Sequence, residues 1–259
     1  MSCLKGAAKA IRAIGTALAA LLVFVIIVEL YFMYTDFASQ NVMLEPLMNE
    51  VTCSFNGSIG VLKVPIKVSY NGSRTLKSLR VVSLINTTET SLKFQSKEVT
   101  LEARSSKTVK LQMTIPASLA NSILKENTTI YFGLSFMYDG IFGVEILTKS
   151  PQSLIPKAQL YRSSSFEYAD PKYERVVLVF AIINPLPIPI KGEAHFIAQG
   201  DKLSYKVAKK IVLKECFVTP LTIEFVALDA DLKEGITYTL FLKVKPDIEI
   251  VLNKGLLKV

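Results

Sequence analysis

His195 is the only histidine in the chain, so it is the first side chain to test for acid–base chemistry near neutral pH. A general base needs an oriented partner, and the sequence points to none. GxSxG, HExxH and phosphate-loop spacings are also absent, so His195 reads as structural and the chain as no enzyme. Asp229, Asp231 and Glu234 in DADLKEG resemble part of a calcium loop, but the glycine falls one place late and the distal bidentate glutamate is missing. An acid-rich helix start accounts for them better, and neither metal nor cofactor is expected. The cysteines Cys3, Cys53 and Cys216 show no metal spacing. Four N-x-[ST] sequons, at Asn56, Asn71, Asn86 and Asn127, are candidate glycosylation sites. Nine asparagines in this composition should give about one such match by chance. The competing reading is turn asparagines beside common hydroxyl residues. All four fall in the first half, which predicts a solvated first half and a second half covered by something.

These residues are positioned by what precedes them. Residues 13–33 form an apolar run in which 17–28 carry no polar side chain. As a helix those 21 residues would extend about 31 Å, one hydrocarbon core. Lys5, Lys9 and Arg12 precede the run, and no Lys or Arg follows until Lys63. That asymmetry predicts a cytoplasmic N-terminus and an exported remainder. Tyr31, Phe32 and Tyr34 suit an outer aromatic belt, Asp36 is expected in water, and Glu29 reads as an interfacial acid. The run is longer than a signal-peptide core, and the nearest cleavage candidate, Phe37-Ala38-Ser39, has a bulky residue at its first position. A prepilin-type cut near Gly15 lacks the expected preceding charge, Ile14 standing there. The expectation is an uncleaved signal anchor, with the plasma membrane as location and the lipid bilayer as partner.

Formal net charge is +8, and setting aside Lys5, Lys9, Arg12 and Glu29 leaves 27 basic and 21 acidic residues, a net of +6. No basic cluster marks the exported part, so nucleic acid is not an expected partner; anionic headgroups or surface polymers fit better. With Cys3 inside, Cys53 and Cys216 are the two cysteines that could pair outside; the alternative is two separate buried thiols.

The exported chain reads as a tether over 35–49, a first β-sandwich over 50–149, a linker over 150–157 carrying Pro151 and Pro156, and a second sandwich over 158–259. In 62–70, Leu62, Val64, Ile66, Val68 and Tyr70 alternate with Lys63, Pro65, Lys67 and Ser69, the pattern of a half-buried strand. Residues 108–115 alternate likewise, Pro116 opens a short helix, and 130–136 and 141–147 form a hairpin around Asp139-Gly140. The second half repeats this plan: 177–184 overlays 64–71 at an offset of 113, Leu221, Ile223 and Phe225 overlay Leu111, Met113 and Ile115 at 110, and Tyr238, Leu240, Leu242 and Val244 overlay Ile130, Phe132, Leu134 and Phe136 at 108. The fold class is all-β, two tandem antiparallel sandwiches of about seven strands each on an N-terminal helix.

The segment FAIINPLPIPI, Phe180 to Ile190, followed by a strand running to Gln199-Gly200, resembles the group 2 late-embryogenesis-abundant, or water-stress-and-hypersensitive-response, domain. The matching residues are Asn184, Pro185, Pro187, Ile188, Pro189 and Ile190; the first half keeps Asn71 but has Gly72-Ser73 where proline is expected. The resemblance implies a non-enzymatic sandwich, membrane-attached in several members and suspected of binding lipids. The prolines themselves forbid a strand ladder there and make it an edge or crossover segment.

One strand of the second half is apolar on both faces. Val176, Leu178, Phe180 and Ile182 are assigned to its outer row and Val177, Val179, Ala181 and Ile183 to its inner row. Leu178, Phe180, Ile182, Leu186 and Ile188 are therefore a candidate apolar groove, covered by the first half, by the crossover, or by an external ligand such as an acyl chain. The functional expectation is a membrane-anchored binding or scaffold module, with a lipid or another envelope protein as partner; the alternative is a subunit of a surface filament or envelope complex.

Overall fold

Ile66, Val68 and Tyr70 put their side chains on one face of a strand while Lys63 and Lys67 stand in solvent, as period-two alternation requires. The computed structural model describes residues 21–36, 41–87, 89–125, 128–150, 153–168, 170, 172–244 and 247–258. Helix α1 spans 21–36. It is followed by β1 (Val42–Pro46), β2 (Thr52–Phe55), β3 (Ile59–Tyr70), β4 (Leu76–Asn86), β5 (Ser91–Gln95), β6 (Val99–Leu101) and β7 (Ser105–Pro116). Next come α2 (Ala120–Leu124), β8 (Thr129–Tyr138) and β9 (Phe142–Lys149). The second half comprises β10 (Lys157–Glu167), β11 (Tyr173–Ile183), β12 (Ile190–Gln199), β13 (Ser204–Leu213), β14 (Val218–Leu228), α3 (Asp229–Glu234), β15 (Ile236–Val244) and β16 (Ile248–Leu257).

All strand pairings are antiparallel, and the strand order occurs twice. In the first half β1 and β2 pair successive stretches of one edge of β3, and β7 pairs the other. In the second, β10 and β14 flank β11 in the same way. The opposing sheets run β5–β4–β8–β9, with β6 extending the β5 edge, and β13–β12–β15–β16. A proline inside β3 fits this plan. Leu47 donates its amide to the Pro65 carbonyl, so Pro65 faces the gap between β1 and β2, where its missing N–H deprives no ladder partner.

Within the first sandwich the two sheets close on Ile66, Val68, Tyr70, Leu79, Phe136 and Tyr138. The second closes on Phe180, Phe196, Leu240 and their neighbours, and Ile85, Ile115, Ile123 and Leu124 of the first half pack into that same cluster. The halves therefore share buried surface. They are also joined covalently: Cys53 and Cys216 form a disulfide with Cα atoms 6.2 Å apart.

Two expectations are corrected. The tether expected over 35–49 contains β1, which pairs β3 from Val42 opposite Tyr70 to Pro46 opposite Ile66. The rows of β11 are inverted: Val176, Leu178, Phe180 and Ile182 face the core, and Val177, Val179, Ala181 and Ile183 face outward. With both rows apolar, nothing in the alternation chooses between them, and a shift of one residue exchanges the faces. Among the described residues no helix is long and apolar enough to cross a membrane; Ala13–Ala20 of the expected span lie outside the described residues, as do Cys3, Lys5, Lys9 and Arg12.

Candidate functional site: a cavity under the crossover

The prolines at 185, 187 and 189 hold the chain between β11 and β12 extended, and one side chain fixes its path. Asn184 is fully buried. Its Nδ2 donates to the carbonyls of Ile188 at 2.9 Å and Lys214 at 3.0 Å, and its Oδ1 accepts the Leu186 amide at 3.1 Å. The Asn184 amide donates to the Phe217 carbonyl, and the Cys216 amide to Leu186. This ties the crossover to the β13–β14 turn, and Cys216 in that turn carries the disulfide to β2. The crossover lies on the first sandwich at Gly60, where any Cβ would sit 2.2 Å from the Pro187 carbonyl oxygen. Glycine is required there by close approach of backbone to backbone.

Under this lid the first sandwich is hollow. A cavity of about 550 Å³ opens between its sheets, floored by Leu62, Leu111, Ser83 and Ile85 and walled by Val64, Met113, Ile130 and Phe132. Cys53, Cys216, Asn184 and Pro185 line it on the crossover side. The mouth is marked by Met48, two-thirds exposed, while the floor at Ile85 and Ser83 is 1% and 2% exposed. Among the described residues, none that lines it carries a charge.

Registers explain the space. Phe196 lies opposite Leu240, and Ser83 lies opposite Phe132. Overlaying β15 on β8 at an offset of 108 places Leu240 on Phe132, Tyr238 on Ile130 and Phe196 on Ser83. In the second sandwich Phe196 packs against Tyr238 at 5.8 Å, Phe225 at 5.9 Å and Phe180 at 6.1 Å between ring centroids. Where these aromatics meet, the first sandwich has a serine and aliphatic side chains, and the volume is left open.

The opposite end of the first sandwich grips α1. Asp36, expected in water, is 5% exposed and accepts hydrogen bonds from the hydroxyls of Tyr70 at 2.8 Å and Tyr138 at 2.7 Å, and from the Ser73 amide at 3.1 Å. Burial, and next the Asp36 carboxylate, push both phenols far above their ordinary range. Glu29 pairs with Arg74 at 2.9 Å, and the same guanidinium lies 5.1 Å over the Phe32 ring. The turn Asn71–Thr75 that receives α1 follows β3, as the proline crossover follows β11.

The other predicted residues are dispersed. Leu178, Phe180, Ile182, Leu186 and Ile188 are at most 3% exposed and belong to the second core, so the expected groove is closed by the facing sheet and the crossover. His195 stacks on Phe241 at 5.1 Å, with Nε2 3.5 Å from Glu193. In α3, Asp229 pairs with Lys233 at 2.6 Å and Asp231 accepts the Lys202 amide. Among the described residues no group of three or more ligating side chains could hold a metal ion. Asn56 and Asn71 are exposed; Asn56 Oδ1 accepts the amides of Ser58 and Ile59. Asn86 is half-buried and accepts Ser91 Oγ at 2.7 Å, and Asn127 lies outside the described residues. A larger, open depression of about 860 Å³ at the ends of β12, β13 and β15 mixes Lys191, Lys210 and Lys243 with Glu193, Asp247 and Glu249. Its charges face one another, Lys243 with Glu249 at 3.6 Å, and it offers no single chemistry to a ligand.

No family model and no curated protein matches the chain. Red sea bream transglutaminase is similar over 85% of this chain and 31% of its own length, at 12% identity and a TM-score of 0.39. A Parabacteroides merdae β-glucuronidase is similar over 78% of this chain and 28% of its own, at 11% identity and 0.30. A GH2 β-galacturonidase from Eisenbergiella tayi is similar over 84% and 43%, at 12% and 0.28. The chain spans less than half the length of each, and at these values nothing of their activity passes to it.

Proposed function

We propose that this chain is a single-pass, membrane-anchored binding protein: N-terminus in the cytoplasm, two tandem sandwiches outside the plasma membrane, and the cavity of the first as its binding site. The observation that carries this reading is the cavity, an uncharged volume open at one mouth, in a sandwich whose counterpart is filled. The anchor is supported by the apolar run from residue 13, by the basic residues before it, and by exposed Leu21, Leu22, Phe24 and Ile27 on α1. The disulfide fits an oxidising compartment outside the cytosol. Asn184 and the prolines after it support kinship of the second sandwich with the group 2 late-embryogenesis-abundant domain, since they build its crossover. The sequons at Asn56, Asn71, Asn86 and Asn127 are proposed glycosylation sites; an intact mass equal to the bare polypeptide would remove them.

Orientation is tested at Cys3, the one cysteine outside the disulfide. A membrane-impermeant maleimide should label it only after lysis, while external protease removes a C-terminal epitope from intact spheroplasts. Labelling of intact cells would overturn the topology.

A second reading, a subunit of a surface filament, is favoured by the outer face of β10–β11–β14, where Tyr161 is 83%, Val218 47% and Ile183 39% exposed. A ladder of SDS-resistant oligomers would select it; a detergent-solubilised monomer selects the binding protein.

A further inference from the structure

The geometry points to a defined ligand class for the cavity: one apolar chain ending in an uncharged polar group, such as a long-chain alcohol or ester, and not a whole phospholipid. This rests on the reading of the cavity as the binding site. The volume, about 550 Å³, lies within the roughly 300–1,000 Å³ of sites that hold a single drug-sized ligand, and leaves no room for two chains and a headgroup. The walls at Val64, Met113, Ile130 and Phe132 are apolar and the described lining residues include no Lys, Arg, His, Asp or Glu, so a carboxylate or phosphate inside would be stripped of water with no countercharge. Polar contacts come from serines: Ser83 in the floor, Ser150 and Ser153 toward the mouth. Hydroxyls of this kind serve an alcohol or ester and do not neutralise an anion.

Position adds to this. Asp36 at the end of α1 is bonded to Tyr70, and the cavity begins six residues back along β3 at Val64, about 20 Å away at strand rise. A molecule that reaches the floor has left the bilayer with its whole chain. A single chain with an uncharged end can do that; a charged headgroup would have to follow it into an apolar wall.

The test uses the full chain in lipid nanodiscs with three photoactivatable probes of equal chain length: hexadecanol, hexadecanoate and a diacyl phosphatidylcholine, each with a diazirine on the chain. Mass spectrometry locates the crosslinks, and those on α1, which report the bilayer, serve as an internal control. The alcohol should label peptides bearing Met113 and Phe132, and Ser83→Phe, which installs the residue of the second sandwich, should reduce that labelling at least tenfold without changing labelling of α1. If Ser83→Phe does not fold, Ile130→Tyr, which installs another aromatic residue of the second sandwich, gives the same reading. Alcohol crosslinks confined to α1 would overturn the cavity as the binding site. Cavity labelling by hexadecanoate or the diacyl lipid at least equal to that by the alcohol would keep the site and overturn the ligand class. Cavity labelling that survives both substitutions would overturn the assignment of the floor.

Discussion

Ser83 and Phe196 stand at matching places in one strand order, and the two sandwiches diverge around them. Phe196 sits among the rings of Phe180, Tyr205, Phe225 and Tyr238, and its sandwich is closed. Ser83 sits at the floor of a space that neighbouring aliphatic residues do not reach across. The hollow sandwich has an open end, and that end is covered. The crossover of the closed copy supplies that cover, with Asn184 bracing it and Pro187 resting on Gly60. The same connection in the hollow copy, Asn71–Thr75, is occupied by α1 instead. The strand order thus occurs twice, and a few side chains leave one copy open and let the crossover of the other cover it.

The comparison can be broken most forcefully at the disulfide. Replacing Cys53 and Cys216 by serine frees a loop of 163 residues, which chain entropy values at about 5 kcal/mol. Denaturant unfolding should show the hollow sandwich melting first in this variant; an unchanged curve would mean that the lid is held by packing alone. Emptying the closed copy comes next: Phe196→Ala should cost about 3–5 kcal/mol, more than any single truncation beside the cavity, where neighbours already lack contacts. If Phe132→Ala costs as much, the first sandwich is not hollow in solution.

Asp36→Ala removes the carboxylate that accepts from the buried hydroxyls of Tyr70 and Tyr138, and should destabilise by about 2–4 kcal/mol. Adding Tyr70→Phe and Tyr138→Phe to that variant should restore part of the loss, which calorimetry can check. The smallest effect is one of pH. Both phenols titrate higher in the folded protein than the ordinary value of 10.0, so their contribution is complete below that pH and fades as pH climbs above it. Each should remove at most about 1.4 kcal/mol per pH unit in that range. The double phenylalanine variant should lose this alkaline slope and keep the rest of the profile; a slope that persists would place its origin elsewhere.

What was legible in the sequence follows the range of the interactions. Alternation at 62–70 and 108–115 is local, and both strands form with the expected faces. In β11 the alternation is apolar on apolar, and only the facing sheet decides that Leu178 and Phe180 point inward. The partners of Asp36 lie 34 and 102 residues away, beyond any local pattern, so an acid after an apolar run is indistinguishable from one in water. β1 is short and ends in Pro46, which reads as a tether until β3 is there to pair it. The cavity is legible only by comparison. Ser83 among Val82, Leu84 and Ile85 is an ordinary strand residue until the overlay sets Phe196 upon it.

The disulfide also has a mechanical consequence. A pull applied between α1 and the C-terminus travels through 36–53, crosses the Cys53–Cys216 bond, and continues through 216–259. Everything from 54 to 215 hangs off that route unloaded, including β3 through β9 and β10 through β13. About 550 Å of extended chain is thereby withheld from tension. Such a pull would strip β1, β2, β14, β15 and β16 before it strained any strand of the hollow sandwich beyond its first edge. Reducing the bond would bring the cavity into the load path.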